Sequence, residues 1–182
     1  MLIVDPIRSG GVVPESVKRS LLEYLNGYSV CMYCPGDLHK ITKPNIKRLI
    51  QVDLPEFMGA DVVRLVHGAR EAFFTVFYAL FKEHVLTRGD RAPVIVVDGN
   101  THYSLELAAE RSLLKIIETE TSRYPLFKVA LEHYEEALES VVEEHGKPPL
   151  VTCITYPDGK YGNFPDNIKG IIKLAREHGS YT

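Results

Sequence analysis

Four short stretches of this chain carry residue types that do chemistry. Cys31 and Cys34 form a Cys-x-x-Cys spacing, which suits a redox pair, two of four ligands to a metal or cluster, or a nucleophilic thiol with a neighbour that resolves it. A closed metal site needs more ligands than this pair. The third cysteine, Cys153, falls in a strand pattern where a buried, inert thiol is expected. Gly68-Ala69-Arg70 lies where a strand pattern meets a helix pattern. Small residues there let free backbone N–H groups and the positive end of the helix dipole meet a phosphate. Arg70 adds a planar fork of donors for a second phosphate or carboxylate, although a tight turn with a surface arginine reads the same way. Asp98-Gly99-Asn100-Thr101-His102-Tyr103 ends the next strand pattern, beyond which ligands of an open parallel sheet gather. His102 can stack there on a planar cofactor, shuttle a proton, or simply cap the following helix. Tyr156-Pro157-Asp158-Gly159-Lys160-Tyr161-Gly162-Asn163 follows another strand pattern, and turn chemistry alone explains its composition. What points to a site is that three such segments would converge on one crevice.

The elements that must position these residues alternate. From about residue 62, short β-branched runs are followed by longer amphipathic stretches, the pattern of a parallel sheet with crossover helices, so the fold class is α/β. Strands are expected over 61–66, 92–97, 113–118 and 150–155. Helices are expected over 69–84, from the Asp98 turn to about 112, over 126–145 and over 165–178. The first 60 residues differ. Gly10-Gly11, Pro14, Pro35-Gly36 and Pro44 divide short helical pieces, with a helix expected over 14–26 and the Cys-x-x-Cys on the loop after it. Such a segment offers little apolar surface of its own and is expected to wrap onto a neighbouring domain or subunit.

The 182 residues, 45% hydrophobic and 25% charged, suit one globular domain with a real core. No apolar run approaches the roughly 20 residues that cross a bilayer, and no basic region followed by an apolar stretch opens the chain, so a cytoplasmic location is expected. A formal net charge of −3 excludes binding to nucleic acid through the overall field. A local patch remains, with Lys40, Lys43, Lys47 and Arg48 as the candidates, unless these are only a solvated helix face.

The segments Asp5-Pro6-Ile7-x-x-Gly10-Gly11, Gly27-Tyr28-Ser29-Val30-Cys31-x-x-Cys34, Gly68-Ala69-Arg70-Glu71-Ala72, Asp98-Gly99-Asn100-x-His102-Tyr103-Ser104 and Ile154-Thr155-Tyr156-Pro157-Asp158-Gly159-x-Tyr161-Gly162-Asn163 occur together and in order in one family. Through them the chain resembles the archaeal O-phosphoseryl-tRNA:cysteinyl-tRNA synthases from residue 5 to about 178. The resemblance implies part of the large domain of a fold-type I pyridoxal-phosphate (PLP) transferase over 61–182, preceded by an N-terminal segment, 1–60, that carries the Cys-x-x-Cys. The implied reaction turns phosphoseryl-tRNA(Cys) into cysteinyl-tRNA(Cys): the α-proton is lost, phosphate leaves, and sulfur adds at the β-carbon.

Residue by residue, the resemblance makes Cys31 and Cys34 carriers of persulfide sulfur, or, with a third cysteine, ligands of an iron–sulfur cluster in the full-length enzyme. Ala69 and Arg70 become contacts to cofactor and substrate phosphate, His102 the residue over the pyridine ring, and Tyr103 a substrate contact. Implied partners are tRNA(Cys) carrying phosphoserine, phosphoseryl-tRNA synthetase and a second copy in a homodimer. Family chains are longer and continue into an Asn-Gly-Ala-Tyr segment, a Ser-Gly-His-Lys segment whose lysine holds the cofactor, and a third functional cysteine. This chain has no match to these, and Cys153 does not replace that cysteine. The expectation is therefore a truncated synthase, inactive alone or completed by a separately encoded half. The competing readings are a cysteine desulfurase-like sulfur-transfer enzyme and a non-catalytic scaffold of the tRNA-dependent cysteine pathway.

Overall fold

The computed structural model describes residues 12–25, 48–89 and 93–182. Cys31, Cys34, Lys40, Lys43 and Lys47 lie outside them. The chain divides into two compact units, Met1–Leu65 and Val66–Thr182.

In the first unit, helix α1 spans Glu15–Leu25, matching the helix expected there. A Lys18–Glu15 ion pair lies on its first turn. A π-turn, Leu49–Asp53, runs directly into the short helix α2, Leu54–Met58, which Gly59 stops in the left-handed conformation at φ 61°. Pro55 sits in the first turn of α2, where its missing N–H is no loss. Arg48, from the candidate basic patch, reaches Asp53 at 3.3 Å.

The second unit is built on β1, Val94–Val97, with β2, Lys115–Glu118, on one side and β3, Val151–Thr152, on the other. All pairings are parallel, in the order β2-β1-β3. Helices α3 (Ala69–Arg88), α4 (Tyr103–Arg111), α5 (Leu131–His145) and α6 (Ile168–Glu177) complete it. β1 is buried throughout, as a central parallel strand must be. Its alternate residues feed two cores. Ile95 and Val97 pack with Phe77 of α3 and with Leu105, Ala108 and Ala109 of α4. Val94 and Val96 pack with Tyr134, Leu138 and Val141 of α5 and with Ile171 of α6. The period-2 alternation of a strand thus demands a helical layer on each face.

The expected α/β order holds, with corrections. Residues 61–66 form no strand: a β-branched run becomes one only where a neighbour supplies the ladder, and among the described residues none pairs with it. Val62 and Leu65 stay exposed. Helix α5 begins at 131 rather than 126, because Phe127 takes φ 47° and the Ala130 N–H is captured by His133 Nδ1 at 3.1 Å. That capping bond sets the helix start. Helix α6 begins at 168 because Asn167, at φ 56°, caps it by accepting from Gly170 N. The ladder of β3 covers two residues rather than 150–155, yet the pairing frays slowly: Cys153 N still donates to Val96 O at 2.8 Å. On the other edge of β3, Tyr181 bridges Val151 in parallel. Its N–H donates to Leu150 O, and its carbonyl accepts from Thr152 N.

Ile95 is wholly buried and shared by strand and helices. Ile95→Ala is expected to lower stability by about 2–5 kcal/mol, read as a fall in the urea midpoint with an unchanged slope.

Candidate functional site

The structure brings three of the four stretches together: the turn after β1, the loop after β3 and the start of α3, which follows no strand. β1 ends at Asp98, whose carboxyl accepts from Asn100 N at 2.8 Å and so closes the Asp98-Gly99-Asn100 turn. Gly99 has to be glycine: an added Cβ would collide with the Thr119 carbonyl oxygen and come within 2.9 Å of Thr121 Cγ2. Its N–H donates to Thr119 Oγ1 at 3.0 Å, joining the ends of β1 and β2. Asn100 Nδ2 donates to Phe127 O at 2.7 Å.

His102 then caps α4. Its Nδ1 accepts from Ser104 N at 3.2 Å and lies 2.9 Å from Ser104 Oγ. An Nδ1 that accepts an N–H carries no proton of its own, so the neutral ring is protonated at Nε2. The ring remains exposed, so capping and ligand contact are compatible.

The β3 end reaches the same place. Thr155 Oγ1 donates to Thr101 Oγ1 at 3.1 Å, and Lys160 Nζ donates to Gly99 O at 3.1 Å. A Cβ on Gly159 would stand 3.9 Å from His102 Cδ2, so the two loops face each other at van der Waals distance. The Asp158 carboxylate, 4% exposed, receives the N–H groups of Lys160, Tyr161 and Asn163. One side chain therefore organises the whole turn. Asn163 Nδ2 ties it to the carbonyls of Leu126 and Phe127.

The third segment arrives through α3. Gly68 stands before it at φ 87°, ψ 178°, a conformation open in practice only to glycine. No side chain caps α3, so its first-turn N–H groups keep their donor capacity. Arg70 lies over the Tyr103 ring, 5.6 Å from the centroid, and the Tyr103 and His102 rings are 4.3 Å apart. Arg111 braces the arrangement by pairing with Glu71 at 3.5 Å and lying 3.9 Å over Phe74. Arg70, His102 and Tyr103 thus form one continuous surface, with Ala69 at the helix start beside them.

Against this crevice lies a cavity of about 870 Å³, lined by Phe73 and Val76 of α3, Thr101, His102, Cys153 to Pro157, and Ile168 and Ile172 of α6. A smaller one, about 340 Å³, lies at the opposite end, against Pro148 and Pro149 before β3. Among the described residues no group of histidine, cysteine and acidic side chains could hold a metal ion. No described helix is long and apolar enough to cross a membrane.

Sequence reasoning missed the supports of the site. Asp98, 1% exposed, lies on Tyr134, which is wholly buried on α5; burial raises the Asp98 pKa above 3.8, against the N–H of Asn100 and the Tyr134 hydroxyl, with Asp158 adding repulsion. Burial and the neighbouring Asp98 raise the Tyr134 pKa as well. Only the Asp-Gly-Asn turn signal hinted at Asp98, and nothing in the sequence linked it to residue 134.

No protein-family profile matches the chain. The fold itself is part of the α/β large domain of fold-type I PLP enzymes. Over 93% of its length the chain superposes on mouse CSAD with a TM-score of 0.63 at 14% identity, covering 36% of that chain. On a SepCysS-SepCysE N-terminal domain complex it superposes over 97% of its length with a TM-score of 0.74 at 33% identity, covering 42%. In sequence it is 40% identical to O-phospho-L-seryl-tRNA:Cys-tRNA synthase 2 of Methanococcoides burtonii over 98% of its own length. It is 42% identical to the O-phospho-L-seryl-tRNA:Cys-tRNA synthase of Methanosarcina acetivorans over 96%. It spans 44% and 43% of those two relatives. The resemblance read from the motifs is therefore to these synthases, and to a portion of them.

Cys153 differs from the buried thiol expected of the strand pattern: it is half-buried and lines the larger cavity, while desolvation still pushes its thiol up to about 12. At pH 8 that leaves a thiolate fraction of roughly 10⁻⁴. In a Cys31→Ser, Cys34→Ser variant, iodoacetamide is expected to label Cys153 slowly in the folded chain, with the rate rising about tenfold per pH unit as the thiolate fraction grows.

Proposed function

We propose that this chain forms part of a PLP-dependent enzyme that converts phosphoseryl-tRNA(Cys) to cysteinyl-tRNA(Cys) by replacing phosphate with sulfur. The observation that carries the reading is the continuous Arg70–Tyr103–His102 surface, built where the turn after β1 meets the start of α3, with His102 lining a cavity large enough for a small cofactor.

The residues present fit two ends of PLP. The uncapped start of α3, at Ala69 and Arg70, suits a phosphate. The exposed His102 ring suits one face of a planar heterocycle. The lysine nearest the strand ends, Lys160, is held on the Gly99 carbonyl, and no imine-forming lysine is presented among the described residues. When bound, PLP supplies an electron sink for the charge left at the substrate α-carbon. The chain's own residues do the rest of what can be derived. Ala69 and Arg70 bind phosphate oxygens, Arg70 with its fork shared between cofactor and substrate sides, and Tyr103 packs under that guanidinium. His102 holds its ring in one orientation through Ser104 and keeps its proton on Nε2.

Cys31 and Cys34 belong to this proposal as persulfide carriers, or as cluster ligands with a third cysteine, and a homodimer, tRNA(Cys) carrying phosphoserine and phosphoseryl-tRNA synthetase as its partners. The division into an N-terminal segment, 1–60, and an incomplete PLP-binding domain, 61–182, belongs to it too.

The test joins this chain to the remaining length of the Methanosarcina acetivorans relative and assays phosphoseryl-tRNA(Cys), PLP and sulfide together. The chimera is expected to form cysteinyl-tRNA(Cys), and the 182-residue chain alone is not. Arg70→Ala is expected to reduce kcat/KM roughly 10- to 100-fold, the loss of a charge-assisted hydrogen bond. A chimera that instead released sulfur from free cysteine and ignored phosphoseryl-tRNA would replace this reading with the desulfurase one.

A further inference from the structure

The Tyr134 hydroxyl lies 3.2 Å from Asp98 Oδ2 and 3.1 Å from the Cys153 carbonyl oxygen. A tyrosine has one hydroxyl proton, and an ionised carboxylate and a carbonyl are both pure acceptors. With Asp98 ionised, that proton serves only one of the two: given to Cys153 O, it leaves the Tyr134 oxygen lone pairs facing the carboxylate at 3.2 Å, and given to Asp98, it leaves the buried Cys153 carbonyl without it. With Asp98 protonated, every group is served: Asp98 Oδ2–H donates to Tyr134 Oη, and the Tyr134 O–H donates to Cys153 O. The other carboxyl oxygen, Oδ1, still accepts from Asn100 N at 2.8 Å.

We infer that Asp98 is carried as a neutral carboxylic acid at the head of a hydrogen-bond chain, Asp98 to Tyr134 to the Cys153 carbonyl, and that this chain positions the His102-bearing turn against the end of β3. It joins three elements: β1 at its carboxyl end, α5 through Tyr134, and β3 at the residue after its last ladder pair.

The surroundings agree. Asp98 is 1% exposed and Tyr134 0%. The groups that face Asp98 are the Asn100 and Thr155 N–H groups, Tyr134 and the acidic Asp158, with burial as the strongest influence, and its pKa is raised. The positive group bonded nearest in sequence, Lys160 Nζ, is spent on the Gly99 carbonyl rather than on the carboxyl. Asp98 is a positioning residue, since its hydrogen bonds go to Asn100 and Tyr134 and to none of the side chains assigned to ligand contact. The inference does not depend on the cofactor or the reaction, and its test needs neither.

Infrared spectra of the whole 182-residue chain, followed from mildly acidic pH upward, are expected to show a carboxylic-acid C=O band that persists where ordinary aspartates and glutamates are already ionised. Asp98→Asn should remove the band. Asparagine reproduces the neutral acid, accepting from Asn100 N and donating from Nδ2 to Tyr134 Oη, so this variant should keep the wild-type urea midpoint at mildly acidic pH. The sign of the pH dependence follows. Between 3.8 and the raised native value, the folded chain holds a proton that the unfolded chain releases, so wild-type stability falls as pH rises through that window. Asp98→Asn should lack this fall. Should that variant not fold, Tyr134→Phe serves, since removing the acceptor of the acid proton must shift the C=O band. Absence of the band from the wild type, its persistence in Asp98→Asn, or an unshifted band in Tyr134→Phe would each overturn the inference.

Discussion

The structure of the second unit depends on one constraint: β1 is four aliphatic residues buried on both sides. A strand with no solvent face needs a helical layer over each, and the split of Val94 and Val96 toward α5 and α6, Ile95 and Val97 toward α3 and α4, fixes which helices those are. It also fixes where function can sit. With both faces and both edges of β1 occupied, the free places along it are its ends, and parallel pairing puts the carboxyl ends of β1, β2 and β3 on one side. The crevice is a consequence of the core rather than an addition to it.

At that end the backbone leaves the sheet ladder, and short polar side chains, several of them distant in sequence, take up its polar groups. Asp158 takes three N–H groups of its own turn, Thr119 takes the Gly99 N–H, and Asn100 and Asn163 both donate to the Phe127 carbonyl. Each bond crosses from one strand end to another or closes a turn that faces one. The loops are thereby held without regular secondary structure, which is what a rigid binding surface on loops requires. Phe127 at φ 47° and Tyr161, stacked at 4.6 Å, add an apolar brace to the same junction.

Much of this was legible in the sequence. Short β-branched runs, Gly and Asp-Gly-Asn turns, and helical periodicity gave the α/β class, most elements and the convergence of three segments, because each is written in local residue order. The misses have a common cause. Residues 61–66 have a strand's composition, but pairing depends on a partner elsewhere. The starts of α5 and α6 depend on caps by His133 and Asn167, which override a periodicity that runs on past them. Tyr134 looked like one more core position on an amphipathic helix, and its hydroxyl has meaning only once β1 and β3 end beside it. The candidate site residues His102, Tyr103 and Arg70 were visible as residue types at the starts of helix patterns; the buried groups beneath them were not.

The same division separates two kinds of group at the crevice. Asp98, Asp158, Thr119, Asn100 and Asn163 are turned inward and consumed by backbone or by one another, so they define shape and add little field outside. Arg70 and Tyr103 are exposed, as is the His102 ring, which uses one nitrogen for its cap. An exposed guanidinium beside an uncapped helix start gives that side of the crevice a positive field, despite the chain's net charge of −3. That positive field suits an anionic group at the α3 end, and the exposed His102 ring offers a flat surface at the other. The two preferences are set by different elements, the start of α3 and the turn after β1. Their spacing is fixed by the core, where Phe77 of α3 packs with Leu105, Ala108 and Ala109 of α4, and the exposed Arg70–Tyr103 cation–π contact only aligns the side chains above it.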